Sequence, residues 1–142
     1  MNPEMDNYVT PKPVRGDLIY LACPYSHENP DVRNTRWSAA NIAAAKLMSQ
    51  GLYVFSPISH THPIAVASNG TLPIGWDFWE GFDRQYLNVC KKIIVLRIPG
   101  WDTSTGVLAE IKIGTEAGIP VEYMDWDMKP SYDELLNTFK RT

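Results

Sequence analysis

Glu110 and Asp83 are acids placed among the wrong neighbours for solvated side chains. In the stretch Ser104-Thr105-Gly106-Val107-Leu108-Ala109-Glu110, helical spacing of about 100° per residue sends Lys112 and Glu116 to one side. Glu110 falls roughly opposite, in line with Gly106, Gly114 and Ala117. Small residues one turn either way leave a trough above a carboxylate that faces inward. Asp83 lies in the middle of an apolar face made by Trp76, Trp79, Tyr86, Leu87 and Cys90, with Arg84, Gln85 and Asn88 on the other side. Two inward carboxylates suit chemistry at an anomeric carbon. One attacks C1′ or stabilises an oxocarbenium-like transition state, and the other manages the leaving group's proton. The plainer reading makes Glu110 a salt-bridged or helix-capping residue, and spacing alone leaves both open.

The residues around Glu110 extend this reading. Ser104 or Asp102 can cap the helix that follows, because a short oxygen-bearing side chain accepts from an orphan backbone N–H. Ser104, Thr105 and Gly106 then present N–H and hydroxyl donors to an anion or a sugar hydroxyl. Arg33 or Arg36 can add positive charge from the same edge. Trp101, in its loop, is a candidate to stack a nucleobase, with Trp76 and Trp79 as further aromatics. Tyr25 and His60, in breaker-rich segments at the same edge, complete the expected binding set with Asp102. His60-x-His62 has no third ligand at a recognisable spacing, so no metal is expected. No Gly-x-x-x-x-Gly-Lys or Gly-x-Gly-x-x-Gly fingerprint is present, and neither Ser26 nor Ser104 sits in a nucleophile elbow.

These residues need a frame. Leu18 to Cys23 is a continuous apolar run, as in a strand covered on both faces of a parallel sheet. After the loop Pro24–Pro30, Asp31 begins an alanine-rich helix that stops at Gly51, and Leu52 to Phe55 is a second strand. Residues 58–75 read as a long irregular loop, given His60, His62, Pro63, Asn69, Gly70 and Pro73. Trp76 to Cys90 reads as a helix, Ile93 to Leu96 as a strand and Ser104 to Gly118 as the helix bearing Glu110. Ile119 to Tyr123 is a fourth strand, and Tyr132 to Lys140 a last helix. Alternating strand and helix predicts an α/β fold, a flavodoxin-like or Rossmann-like three-layer sandwich with a parallel sheet of four to five strands. The ligand then lies at the carboxyl ends of the strands, beside the loops after Cys23, Phe55 and Leu96.

The 142 residues suit a single domain over 17–142, preceded by a polar, proline-containing tail over 1–16. A net charge of -3 without a basic stripe argues against binding a nucleic-acid polymer. Cys23 and Cys90 are read as reduced thiols, which points to the cytoplasm. No apolar run approaches a membrane span, and Met1 to Gly16 lacks a signal-peptide pattern.

The chain resembles the nucleoside 2-deoxyribosyltransferase-like family from about Leu18 to Val121. The resemblance rests on Ile19-Tyr20-Leu21-Ala22, on Val54-Phe55-Ser56-Pro57, and on Asp83 ahead of Leu87. It continues in Ile94-Val95-Leu96 and in Ser104-x-Gly106-x-x-x-Glu110. It is nearest to a small phage and bacterial subgroup, and is also similar to deoxynucleoside 5′-monophosphate N-glycosidases. The resemblance implies a flavodoxin-like sheet, Glu110 as the nucleophile on C1′, Asp83 contacting the base, and Tyr20 orienting the glutamate. It also implies a pocket completed by a neighbouring subunit, hence a homodimer or higher homo-oligomer. Transferases acting on free nucleosides carry aspartate where Ser104 stands, whereas the monophosphate-cleaving branch has serine. Lys91 replaces an acid that members often keep before the third strand, and the loop after Cys23 differs from both branches. The expectation is an enzyme that cleaves or transfers the base of a 2′-deoxynucleoside 5′-monophosphate or 2′-deoxynucleoside, without a cofactor. The alternative is a non-catalytic nucleotide-sensing domain of the same fold.

Overall fold

The computed structural model describes residues 17–140, so the tail expected over 1–16 lies outside the described residues. The elements run β1 (Ile19–Ala22), α1 (Pro30–Ser49), β2 (Val54–Phe55), α2 (Pro57–Ala67) and α3 (Trp76–Leu87). They continue with β3 (Lys92–Arg97), a 3-10 turn (Trp101–Thr103), α4 (Thr105–Glu116), β4 (Val121–Asp125) and α5 (Tyr132–Phe139). The four strands form one parallel sheet in the order β2-β1-β3-β4, with Tyr20 opposite Ile93 and Ala22 opposite Val95. The order reverses between β1 and β3, and this is where such sheets open a crevice at their carboxyl ends.

Alternation along the strands divides the core into two layers. Ile19, Leu21, Ile94 and Leu96 face α1 and α5, whose contributions include Ala39, Ala40, Ala43, Leu47 and Leu135. Tyr20, Ala22, Ile93 and Val95 face Leu87 of α3, Val107 of α4 and Cys90 between them. The three-layer α/β sandwich follows directly, because β1 is buried on both faces and each face must be covered. The alanine stripe of α1 lets that helix lie close to the sheet. Its start is fixed by Asn29, whose side chain accepts from Asp31 N at 2.9 Å, and by Pro30 in the first turn.

The irregular loop expected over residues 58–75 is in its first half a helix. Ser56-Pro57 opens α2, since proline at the first position gives up an N–H that has no helical partner anyway. Pro63 lies inside α2 and does not end it. The helix stops before Asn69 and Gly70, both at positive φ (53° and 84°), the conformation that terminates helices. Only residues 68–75 connect α2 to α3. Other boundaries shift by a few residues: α3 ends at Leu87 rather than Cys90, and β4 runs from Val121 to Asp125 rather than from Ile119 to Tyr123.

Candidate functional site

A cleft of about 370 Å³ opens at the carboxyl edge of the sheet beside the β1–β3 switch. One wall is the segment after β1, with Cys23, Tyr25 and Ser26; a second is the start of α2. Trp76, Trp79 and Asp83 of α3 close another side, and Ser104 to Gly106 with Glu110 form the α4 side. The two acids singled out by periodicity therefore meet in one cavity, each carried by its own helix on the same face of the sheet.

Two glycines set the position of Glu110. A Cβ at Gly114 would lie 2.4 Å from Ile93 Cδ1, so the bare backbone lets α4 sit close against β3. One turn before Glu110, a Cβ at Gly106 would lie 3.3 Å from Trp76 Cε3, so the missing side chain makes room for the indole at the cleft. Glu110 itself is 4 % exposed and reaches down toward Tyr20, a fully buried residue of β1. The Tyr20 hydroxyl has no hydrogen-bond partner within ordinary distance but lies beside both carboxylates and favours their ionised forms.

Burial dominates the electrostatics. Desolvation holds the Glu110 carboxyl well above the usual carboxylate range; the Tyr20 hydroxyl opposes this and the charge of Asp83 adds to it. Desolvation likewise pushes Asp83 up to about 7, opposed by Tyr20. The Tyr20 phenol is raised too, first by burial and then by the charges of Glu110 and Asp83. Two desolvated acids beside one another hold their protons to higher pH than free carboxyls do, Glu110 being the more deeply buried.

At the head of α4 the cap is Ser104, not Asp102: its Oγ accepts from Val107 N at 3.2 Å. Because Oγ acts as acceptor there, its own proton is free to donate. Thr105 and Gly106 line the cleft with Ser104, at the end of a helix whose first N–H groups lack helical partners. Asp102 is exposed on the 3-10 turn and does not line the cleft. Trp101 is also elsewhere: it packs edge-on to Tyr123 at 5.7 Å, with the Arg97 guanidinium 5.8 Å from its ring. Trp76 and Trp79 are the indoles that line the cleft.

Tyr25 lines the cleft as expected, and His60 does not, lying instead along outer grooves with Phe55 and Tyr86. The histidine that matters to the cleft wall is His62, which the sequence suggests as a polar residue of a loop over the site rather than as a metal ligand. It bonds to Tyr25 and Asn34. Among the described residues no three His, Cys, Asp or Glu side chains come together as a metal-ligand group. Neither Arg33 nor Arg36 lines the cleft, although the Arg33 guanidinium acts on Tyr25 and His62 at its wall. Arg33 donates to His27 O, and the largely buried Arg36 donates to Ser26 O at 2.9 Å and Pro99 O at 3.5 Å, tying two cleft-edge segments together.

Comparison with known proteins adds two findings. A family model described as a domain of unknown function (DUF1937) matches residues 17–126. No curated protein matches the chain. Three solved chains match, among them a 2-deoxyribosyltransferase from the psychrotolerant bacterium Bacillus psychrosaccharolyticus, with a TM-score of 0.53 and 22% sequence identity. The alignment covers 76% of this chain and 72% of that one, and it establishes a common flavodoxin-like fold. No helix among the described residues is long and apolar enough to cross a membrane.

Proposed function

The chain belongs to the DUF1937 family, and from that premise we propose that it breaks the N-glycosidic bond of a 2′-deoxynucleoside 5′-monophosphate, or of the 2′-deoxynucleoside, through a glutamate nucleophile. The observation that carries this is the pair Glu110 and Asp83, two desolvated carboxyls lining one cleft over the Tyr20 hydroxyl. The likeness of fold to a 2-deoxyribosyltransferase supports the same reading.

Burial favours the proton on Glu110 in the free protein; in the productive state, with substrate bound, the pair holds one proton, on Asp83, and Glu110 is ionised. Glu110 attacks C1′ as the C1′–N bond breaks; the bonding pair leaves with the base nitrogen, and the Asp83 proton goes to the base. The sugar is then an ester of Glu110. Water, or the nitrogen of a second base, attacks C1′, the C1′–O pair returns to Glu110, and the incoming group gives its proton to Asp83. The Tyr20 hydroxyl beside Glu110 favours its charged form and so steers it toward the anion. No cofactor enters either half.

The 5′ end of the sugar belongs at the head of α4. Ser104 Oγ–H with the Thr105 and Gly106 N–H groups offers donors to a phosphate, at the positive end of the helix dipole. The base belongs beside Asp83, against Trp76 or Trp79, which takes over the stacking role expected of Trp101. A panel of 2′-deoxynucleosides and their 5′-monophosphates, incubated with the protein and resolved by chromatography, tests the proposal. Free base must appear with at least one of them. Tight binding of a nucleotide with no base released would favour the nucleotide-sensing alternative.

A further inference from the structure

Tyr25, His62 and Asn34 form a hydrogen-bonded chain that starts at the cleft and ends inside the protein. Tyr25 stands on the wall after β1; its hydroxyl lies 2.6 Å from His62 Nδ1. His62, on α2 and 5 % exposed, places Nε2 2.9 Å from Asn34 Oδ1 on α1. The ring of Trp37 lies 5.0 Å from the imidazole and covers it. None of these four residues has a part in the bond-breaking step described above.

The polarity of the chain follows from its inner end. An amide oxygen can only accept, so His62 Nε2 carries the hydrogen. The imidazole is neutral, since burial lowers its pKa and the nearby charge of Arg33 lowers it further. A neutral ring has one N–H, so Nδ1 offers a lone pair and the hydrogen between it and Tyr25 comes from the phenol. With its proton committed, Tyr25 has only oxygen lone pairs left, shared between the neighbouring Arg33 guanidinium and the cleft.

We propose that Asn34 and His62 lock the Tyr25 hydroxyl as a fixed hydrogen-bond acceptor in the cleft, where it selects a ligand that presents a donor and disfavours one that presents a carbonyl oxygen. Asn34 and His62 are positioning residues, and Tyr25 is the residue that meets the ligand. As applied to nucleotides, the inference rests on the function proposed above. It also sorts the two ends of the cleft, with donors at the head of α4 and an acceptor at Tyr25. A 2′-deoxynucleoside 5′-monophosphate whose phosphate takes the donors has two groups to offer Tyr25. These are the sugar 3′-hydroxyl and an exocyclic amine of the base.

Two measurements test this. Nitrogen NMR of the imidazoles in the ligand-free full-length protein must show His62 protonated at Nε2 and bare at Nδ1; the opposite tautomer overturns the inference whether or not any nucleotide binds. Calorimetry in a Glu110→Gln background, which prevents turnover, then compares three ligands: 2′-deoxycytidine 5′-monophosphate, its 2′,3′-dideoxy analogue, and 2′-deoxyuridine 5′-monophosphate. With Tyr25 present, loss of the donor that it reads weakens binding by about three- to tenfold, the scale of one hydrogen bond. In Tyr25→Phe that penalty disappears, and in Asn34→Leu it shrinks. A penalty confined to the dideoxy analogue identifies the sugar hydroxyl, and one confined to the uracil ligand identifies the base amine. Penalties unchanged by Tyr25→Phe overturn the inference. Failure of all three ligands to bind rejects the nucleotide reading instead, and the His62 tautomer still decides whether Tyr25 is a fixed acceptor.

Discussion

Gly114 of α4 lies so close to Ile93 of β3 that a Cβ would stand 2.4 Å from Ile93 Cδ1. Glu110 is one turn earlier on the same helix, so the depth at which α4 sits on the sheet sets the depth of the carboxylate. Alanine at 114 gains about 1 kcal/mol of helix propensity over glycine, which offsets much of the cost of turning the Ile93 side chain aside. Valine adds two methyls that the packed core has no room for, and overpacking costs about 1–3 kcal/mol. Thermal unfolding should therefore leave Gly114→Ala within a few degrees of wild type and lower Gly114→Val clearly. A Gly114→Val variant as stable as wild type would mean that α4 has slack against the sheet.

The buried acids make stability depend on pH with a definite sign. The folded pKa of Glu110 is well above its ordinary value, and that of Asp83 is about 7. Between about 4, where carboxyls titrate in the unfolded chain, and these raised values, the folded protein keeps protons that the unfolded chain has lost. Folding stability thus falls as pH rises through that window. Glu110→Gln carries no titrating proton and avoids the cost. It should melt above wild type at pH 8, by several degrees, and the gap should close toward pH 4. A Glu110→Gln variant that melts below wild type at pH 8 would show instead that Glu110 is ionised and paired in the folded state.

How much of this was legible in the sequence depends on the kind of signal. Glu110 and Asp83 could be read as inward because each sits in a regular helix whose polar face is occupied by other residues. The α/β frame was legible for the same reason: β1 and β3 are unbroken apolar runs. α2 was not, because Pro63 and two histidines look like breakers, whereas the helix tolerates the proline and buries His62 against α1. Trp101 misled because one aromatic in a turn has no periodicity to orient it, and its ring goes to Tyr123 and Arg97 instead. The Tyr25–His62–Asn34 chain spans 37 and 28 residues of sequence and exists only through packing, so no spacing rule reveals it.

On the proposed function, Ser104 decides between substrates. Its hydroxyl proton is free while Oγ caps α4, so it can donate to a phosphate oxygen, and aspartate there would repel the phosphate. Ser104→Asp should weaken the 5′-monophosphate by about 1–3 kcal/mol, the scale of a lost charge-assisted bond plus repulsion. The free nucleoside should be nearly unaffected. Steady-state kinetics with a matched pair of substrates check this, and equal losses for both would remove the phosphate from the head of α4.

Assembly is the fourth expectation. Phe82 is 53 % exposed and Ile64 44 %, and both border an apolar groove with Phe78 and Trp79 that meets the cleft at Asp83. An apolar surface of this kind beside a site suits a symmetric partner. Light scattering at micromolar concentration should give a homodimer or higher oligomer, and Phe82→Glu should shift it toward monomer. A stable, fully active wild-type monomer would contradict this.

The most direct measurement is the rate of base release by wild type and by Glu110→Ala, on the monophosphate that the wild type prefers, with both proteins shown to be folded by circular dichroism. If Glu110 is the nucleophile, wild type liberates free base and the folded variant is slower by several orders of magnitude, as loss of a covalent nucleophile requires. Near-equal rates from two folded proteins would contradict the account and take Glu110 out of the chemistry.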